Sequence, residues 1–170
     1  ANSERFARIY PDRGANRGTV MESTPAPRTF VYGGEAVEHP VAYLPVFPGT
    51  NCDYDTARAF RRAGAEVETT VFCNLSAEAI FRSIREMKEH IRRCHIFVLS
   101  GGFSSGDEPD GSGKFIANVL NNKDIAEEIH ALLDRGGLIL GICNGFQALV
   151  KSGLLPYGRL GCVTKDSPTL

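Results

Sequence analysis

Apolar and polar residues alternate in two different ways along most of this chain. Short runs rich in apolar or β-branched residues, which predict strands, lie at 41–47, 66–72, 95–99 and 138–142. Between them, apolar side chains recur every three or four positions, as at Ile80, Ile84, Met87 and Ile91, which predicts amphipathic helices. Strands alternating with helices indicate βαβ units, so we predict an α/β fold with an open, doubly wound parallel sheet.

The first 38 residues have a different character. They are rich in Pro, Gly, Arg, Ser and Thr and show no sustained helical period. We predict that residues 1–38 form a linker or extended arm, with a disordered tail as the alternative. The folded domain is then expected at residues 39–170.

Composition and charge narrow the class of protein. Apolar residues make up 42% and charged residues 23% of the chain, as in soluble globular proteins. The formal net charge of −1 gives no support for nucleic acid or an anionic membrane as a partner. No stretch approaches about 18 consecutive apolar residues, and the first residues have no apolar signal segment. We therefore expect a cytoplasmic protein.

The cysteines point to reduced thiols. The chain has five, at Cys52, Cys73, Cys94, Cys143 and Cys162. Their number is odd and no two form a C-x-x-C pair, which argues against a disulfide framework and against a zinc site. We expect no bound metal, and most of these residues should be small buried side chains.

Cys143 has the sequence surroundings of a nucleophile. It follows a predicted strand directly, a helix begins beside it, and Gly141 and Gly145 flank it two positions away on each side. This is the thiol form of the nucleophile elbow, a sharp strand-to-helix turn that raises the sulfur into a cleft. The helix N-terminus favours the thiolate, and the N–H of Asn144 would face the developing oxyanion. The alternative is a buried core cysteine between two packing glycines.

Two further loops follow predicted strands, at the end of a parallel sheet where ligands bind. The loop at 100–107 is rich in glycine and can supply a second oxyanion donor, each such donor being worth about 3 kcal/mol. It could also cradle phosphate, although no P-loop pattern is present. The loop at 48–53 contains Cys52, a second candidate nucleophile. Asp53 and Asp55 would disfavour its thiolate and no glycines flank it, so we interpret Cys52 as a wall of the pocket.

A cysteine hydrolase also needs a base that takes up the thiol proton and returns it to the leaving amine. The four histidines are poorly placed for this. His90 and His130 fall within predicted helices, His95 opens a strand at its amino end, and His39 lies in the linker region. We predict that none of them is the base.

These motifs resemble a known family. Residues 138–147, together with 99–104, resemble the class I glutamine amidotransferases. The combination of 47–52 with 100–107 resembles, more narrowly, the glutaminase domains of phosphoribosylformylglycinamidine synthases of the large single-chain form. The resemblance extends from Val41 to Leu170 and implies a flavodoxin-like fold. More weakly, residues 1–38 resemble the arm that precedes this domain.

The resemblance implies a mechanism and a set of site residues. Cys143 would attack the carboxamide carbon of glutamine and form a γ-glutamyl thioester. The N–H groups of Gly102 and Asn144 would form the oxyanion hole. The residues implied in glutamine binding are Gln147, Gly101 and Phe103.

The resemblance also implies partners. Ammonia would pass to an ATP-dependent synthetase domain, on the same or a companion polypeptide, that converts formylglycinamide ribonucleotide to the amidine. No cofactor is implied in this chain; ATP and Mg²⁺ would belong to the synthetase.

One part of the family pattern is missing. The family completes its triad with a His-x-Glu pair near the end of the domain, and no His-x-Glu occurs in this sequence. We therefore expect a domain that is incomplete at its C-terminus, an unfinished sheet with uncovered apolar surface, and little or no glutaminase activity from residues 1–170 alone.

Three other functions stay open. A cysteine hydrolase of the intracellular-protease-like family would share the elbow and the sheet. A catalytically incomplete module of the same fold could serve assembly or ammonia-channel gating. A flavodoxin-like FMN binder is disfavoured, because no Ser/Thr-rich phosphate loop follows the first strand.

Overall fold

The computed structural model describes residues 36–107 and 113–168. The predicted arm lies almost wholly outside these residues, and so the interpretation of residues 1–38 stays a prediction. The four strands are β1 (Val41–Val46), β2 (Glu66–Val71), β3 (Ile96–Leu99) and β4 (Leu138–Gly141). All four lie within the runs that the sequence pattern predicts.

Helices connect the strands. They are α1 (Asp53–Arg62), α2 (Ala77–Arg93), α3 (Lys114–Leu120), α4 (Lys123–Asp134), α5 (Asn144–Ser152) and a short turn, α6 (Leu154–Tyr157). A 3₁₀ turn, Ser104–Asp107, lies inside the predicted glycine-rich loop. The Ser76 hydroxyl accepts a hydrogen bond from the Ala79 N–H at 3.1 Å, the N-cap that stabilises the start of α2. No helix among the described residues is long and apolar enough to cross a membrane.

The sheet is parallel throughout, with the strand order β2-β1-β3-β4. This is the order of the first four strands in flavodoxin-like sheets, and the fold prediction is confirmed. The chain adds β2 on one side of β1 and then crosses to add β3 on the other. The carboxyl ends of β1 and β3 therefore flank a topological switch point, where such sheets bind ligands.

Apolar residues cover both faces of the sheet, as in a doubly wound fold. On one face, Tyr43 and Phe97 pack with Met87 and Ile91 of α2 and with apolar residues of α3, α4 and α5. On the other face, Ala42, Leu44 and Val98 pack against Ala57 of α1. Each fully buried Val, Leu, Ile, Phe or Met side chain contributes about 1.5–3 kcal/mol by leaving water.

A polar cluster lies beside this core, between β2 and α2. His90 stacks on the Tyr43 ring at a centroid distance of 4.7 Å, and its Nδ1 hydrogen-bonds to Glu68. Burial raises the pKa of the Tyr43 hydroxyl, which hydrogen-bonds to Thr70 at 2.6 Å. Burial alone would raise the pKa of Glu68, but hydrogen bonds from His90 and Arg93 outweigh it and hold that pKa below its usual value.

β4 is an edge strand among the described residues, since it pairs only with β3. Leu138 and Leu140, which share one face of it, are 51% and 41% exposed, and Ile142 just beyond is 40% exposed. The expectation of uncovered apolar surface on this sheet therefore agrees with the structure.

Candidate active site

Cys143 sits in a strained turn at the carboxyl edge of the sheet, where the parallel strands end. Its backbone has φ +50° and ψ −108°, a conformation that residues with a Cβ rarely adopt. The Ile142 N–H still donates to the Leu99 carbonyl at 3.0 Å, so the β4–β3 pairing continues to the residue before the turn. Cys143 is the N-cap of α5 and its side chain is exposed. The predicted strand–cysteine–helix turn is therefore present.

The two flanking glycines allow α5 to lie close to the strands. A Cβ added to Gly145 would overlap the Leu99 carbonyl oxygen of β3. A Cβ added to Gly141 would lie 2.8 Å from the Gly145 carbonyl and 2.6 Å from Leu149 Cδ1. The G-x-C-x-G spacing is thus required by contact between strand and helix backbones, which holds Cys143 at the edge.

The other two loops pair with each other at this edge. Thr50 and Gly102 form an antiparallel bridge, the Asn51 N–H donates to the Gly101 carbonyl at 3.0 Å, and the Phe103 N–H donates to the Gly49 carbonyl at 2.9 Å. At Gly102, where φ is +149°, a Cβ would overlap the Gly49 carbonyl oxygen. The pairing therefore fixes the backbone of the glycine-rich loop next to the elbow.

Gly101 brings this loop beside Cys143. A Cβ at Gly101 would lie 3.5 Å from Cys143 Cβ, so the two residues are near neighbours. No hydrogen-bond acceptor for the Gly102 N–H is found among the residues that the structure describes. A main-chain donor is thus available in the loop that adjoins Cys143.

Asn144 connects the elbow to the glycine-rich loop through its side chain. The side chain is buried, with the residue 1% exposed. Its Oδ1 accepts from the Ser104 N–H at 3.2 Å, and its Nδ2 donates to Gln147 Oε1 at 3.3 Å. The sequence pointed to Asn144 only for its main-chain N–H. The link to Ser104 spans 40 positions, and no local pattern signals it.

The remaining predicted site residues lie on the same elements. Gln147 is half-buried in the first turn of α5, and its N–H donates to the Cys143 carbonyl at 3.0 Å. Phe103 follows the two glycines and is 65% exposed. The structure therefore places Cys143, Gly101, Gly102, Asn144, Gln147 and Phe103 along one edge of the sheet.

All four histidines are described, and their contacts place three of them elsewhere. His95 Nδ1 accepts from the Val41 N–H at 3.0 Å, at the opposite edge of the sheet. His130 Nε2 accepts from the Leu160 N–H at 3.1 Å, and His90 belongs to the cluster with Glu68. His39 is exposed before β1. None has a hydrogen bond to Cys143 among the described residues.

The second candidate thiol is also at this edge. Cys52 is the N-cap of α1, is exposed, and its N–H lies 3.4 Å from the Gly101 carbonyl. Its Sγ is 3.7 Å from the position that a Cβ on Gly101 would take. The backbone of Cys52 has φ −106° and ψ 20°, without the strain that marks Cys143.

Comparison with known families agrees with this geometry. The sequence model of one protein family, the CobB/CobQ-like glutamine amidotransferase domain, matches residues 39–170. The chain belongs to this family. The resemblance to glutamine amidotransferases drawn from the elbow and the glycine-rich loop is confirmed, and the match includes all the residues of the candidate site.

Curated relatives of this amidotransferase domain share one name. A protein of Dehalococcoides mccartyi called phosphoribosylformylglycinamidine synthase subunit PurQ is 42% identical over 109 residues, covering 64% of this chain and 38% of that protein. The protein of the same name from Pyrococcus furiosus is 38% identical, with 65% and 41% covered. The chain thus spans about two fifths of the length of these relatives.

A solved structure is also similar. It is described as PurLQS from Thermotoga maritima and is 33% identical. The matched region covers 69% of this chain and 46% of the other, with a TM-score of 0.49.

Proposed function

We propose that this chain is the glutaminase part of a phosphoribosylformylglycinamidine synthase. It would hydrolyse glutamine through a cysteine thioester and supply ammonia for the ATP-dependent amidation of formylglycinamide ribonucleotide. The observation that carries the proposal is the strained, exposed Cys143 at the start of α5, beside Gly101 and Gly102. The names of the curated relatives supply the narrower choice of reaction.

In the proposed reaction, the Cys143 thiolate attacks the carboxamide carbon of glutamine. Negative charge develops on the amide oxygen, and the N–H groups of Gly102 and Asn144 are assigned to stabilise it. Each main-chain donor of this kind contributes about 3 kcal/mol to the transition state. The N-terminus of α5 favours the same negative charge. Collapse of the tetrahedral intermediate releases ammonia and leaves the γ-glutamyl thioester.

Glutamine itself would be held by Gln147, Gly101 and Phe103. The side-chain amide oxygen Oε1 of Gln147 already accepts a hydrogen bond from Asn144 Nδ2, which would fix the Gln147 side chain for a substrate. Because Asn144 also holds the Ser104 N–H, one side chain couples this binding residue to the glycine-rich loop. This arrangement supports a site in which the start of α5 and the glycine-rich loop are positioned together by the Asn144 side chain.

The complete reaction needs a general base and an acceptor for ammonia. Since no histidine of this sequence is placed beside Cys143, we assign the base to another part of the assembled enzyme. The acceptor would be an ATP-dependent synthetase on the same or a companion polypeptide, and the word "subunit" in the relatives' names agrees with a companion. ATP and Mg²⁺ would bind there.

The histidine positions also favour a second candidate, a catalytically incomplete module that serves assembly. The two functions differ in whether Cys143 turns over. The test uses the full-length protein that carries this sequence, together with its synthetase, and measures glutamate released from glutamine. We expect Cys143→Ala to lower the rate at least about a thousandfold, as loss of a nucleophile does elsewhere.

Cys162→Ala is the matched control. Its thiol is also exposed but donates to the Arg159 carbonyl at 3.0 Å, and its loss should leave the rate unchanged. A wild-type protein that binds its partner without releasing glutamate would support the assembly module. Faster turnover of peptides, esters or glyoxals than of glutamine would instead support the intracellular-protease-like hydrolase.

A further inference from the structure

The candidate site contains two cysteines that adjoin the same glycine. Cys143 Cβ and Cys52 Sγ lie 3.5 Å and 3.7 Å from the position that a Cβ on Gly101 would occupy. Cys143 Cβ and Cys52 Sγ can therefore be no farther apart than the sum of these two distances. A disulfide requires the two Cβ atoms to be roughly 3.5–4.5 Å apart, so its formation would need rotation of both side chains and a shift of the loop that carries Cys52.

Three features favour a bond between these two residues. Gly101 has no side chain to stand between them. The Asn51 and Cys52 N–H groups lie 3.0 Å and 3.4 Å from the Gly101 carbonyl, which keeps the Cys52 loop close to this residue. Both thiols are exposed, so each is accessible to a small oxidant in solution.

The other three cysteines have different surroundings. Cys94 is buried, its thiol donates to the Ile91 carbonyl, and burial raises its pKa to about 11. Cys73 is half-buried, beside Ser83 of α2. Cys162 is exposed, and its thiol donates to the carbonyls of Arg159 and Gly153. The pair at Gly101 is therefore the one that combines exposure with proximity among the described residues.

We propose that Cys52 and Cys143 form a reversible disulfide when the protein meets a peroxide. The Cys143 thiolate attacks one oxygen of hydrogen peroxide, the O–O bond breaks, and hydroxide leaves, giving a sulfenic acid. The Cys52 thiolate then attacks the Cys143 sulfur, the S–O bond breaks, and a second hydroxide leaves. The two hydroxides take up the two protons lost by the thiols. Two thiols and one peroxide thus give one disulfide and two waters, with sulfur oxidised and peroxide oxygen reduced.

The disulfide would have two consequences. It would protect Cys143 from the irreversible sulfinic and sulfonic states, because Cys52 consumes the sulfenic acid first. It would also switch off glutamine hydrolysis, and this second consequence alone rests on the proposed function. The disulfide itself needs no catalysis, and its test is independent of glutaminase activity.

The test treats the full-length protein with hydrogen peroxide, alkylates the remaining free thiols, and maps the peptides by mass. We expect a peptide pair joined through Cys52 and Cys143, lighter by two hydrogens and separated again by dithiothreitol. In Cys52→Ser the linked pair should vanish and Cys143 should progress to sulfinic acid. Cys162→Ser is the control and should give the wild-type yield.

Gly101→Ala provides a second, steric test. Gly101 does not have a positive φ, and its added methyl group would meet Cys143 and Cys52 at ordinary contact distances, so the fold should tolerate it. The methyl group would be in contact with both Cys143 Cβ and Cys52 Sγ, in the space that the two residues share. It should lower the disulfide yield about tenfold or more, because the bond has a narrow range of geometry. Both thiols should still react with an alkylating agent in the unoxidised variant.

Two results would overturn the proposal. One is wild-type protein in which peroxide converts Cys143 to sulfinic acid while Cys52 stays free to alkylate. The other is an equal yield of the linked pair with and without the methyl group at residue 101. Failure to release glutamate from glutamine would leave the disulfide untouched and would count against the proposed function only.

Discussion

The strain at Cys143 can be measured by replacing it with glycine and with alanine. A residue with a Cβ at φ +50° and ψ −108° costs about 1–3 kcal/mol, and alanine keeps this cost while removing the sulfur. Glycine removes it, but loses about 0.4–1 kcal/mol through the greater freedom of the unfolded chain. We therefore expect Cys143→Gly to be more stable than Cys143→Ala by about 1 kcal/mol.

The matched control is Ala131→Gly. Ala131 is exposed inside α4, where the backbone is helical and relaxed, so the same exchange of alanine for glycine should destabilise the protein by about 1 kcal/mol. Urea unfolding of the wild type, Cys143→Ala, Cys143→Gly and Ala131→Gly gives the free energies of unfolding. They are compared through the midpoints of the transitions, provided that the slopes are the same. The sign of the alanine-to-glycine effect should be opposite at residues 143 and 131. If glycine destabilises both positions equally, Cys143 is not strained and the elbow geometry is wrong.

Three further predictions concern the surroundings of the site. Asn144→Ala leaves the buried Ser104 N–H without its acceptor and should lower the free energy of unfolding by about 1–3 kcal/mol; an unchanged urea midpoint would contradict the link. Gly145→Ala forces α5 away from β3 and should lower the free energy of unfolding by about 1–3 kcal/mol, with near-wild-type stability as the contrary result. Glu68→Gln removes a carboxylate whose pKa is depressed by His90, so its stabilisation exists at neutral pH and is lost as pH falls below the usual Glu value of about 4.3. Melting curves of both proteins should therefore differ at pH 7 and converge as the pH falls through the lowered pKa of Glu68, whereas a constant difference would refute this cause.

Much of the fold follows from local sequence patterns. The central strands β1 and β3 coincide with apolar runs because they are covered on both faces of the sheet. The edge strands β2 and β4 are only partly buried, and their β-branched or apolar runs indicate them through strand propensity. The 3₁₀ turn at Ser104–Asp107 and the short turn at Leu154–Tyr157 were not predicted. The second contains Pro156 and too few residues to show a helical period, so pattern alone could not indicate it.

The candidate site also has one part that local sequence predicts and another part that it does not. The elbow was predictable because Gly141, Cys143 and Gly145 lie within five residues and their spacing reflects one local turn. The hydrogen bond from the Ser104 N–H to Asn144, and the approach of Cys52 to Gly101, join loops that are distant in the chain. Such contacts depend on strand order and register, which residue spacing does not reveal.

The role proposed for Cys143 is that of the nucleophile toward glutamine. The most direct measurement treats the full-length protein with a glutamine analogue that carries a diazoketone in place of the carboxamide, and then locates the covalent adduct by peptide mass. We expect a single adduct on Cys143, formed more slowly when glutamine is in excess and absent from Cys143→Ala. An adduct on Cys52, equal labelling of the exposed Cys162, or labelling of Cys143 that glutamine does not slow would contradict it.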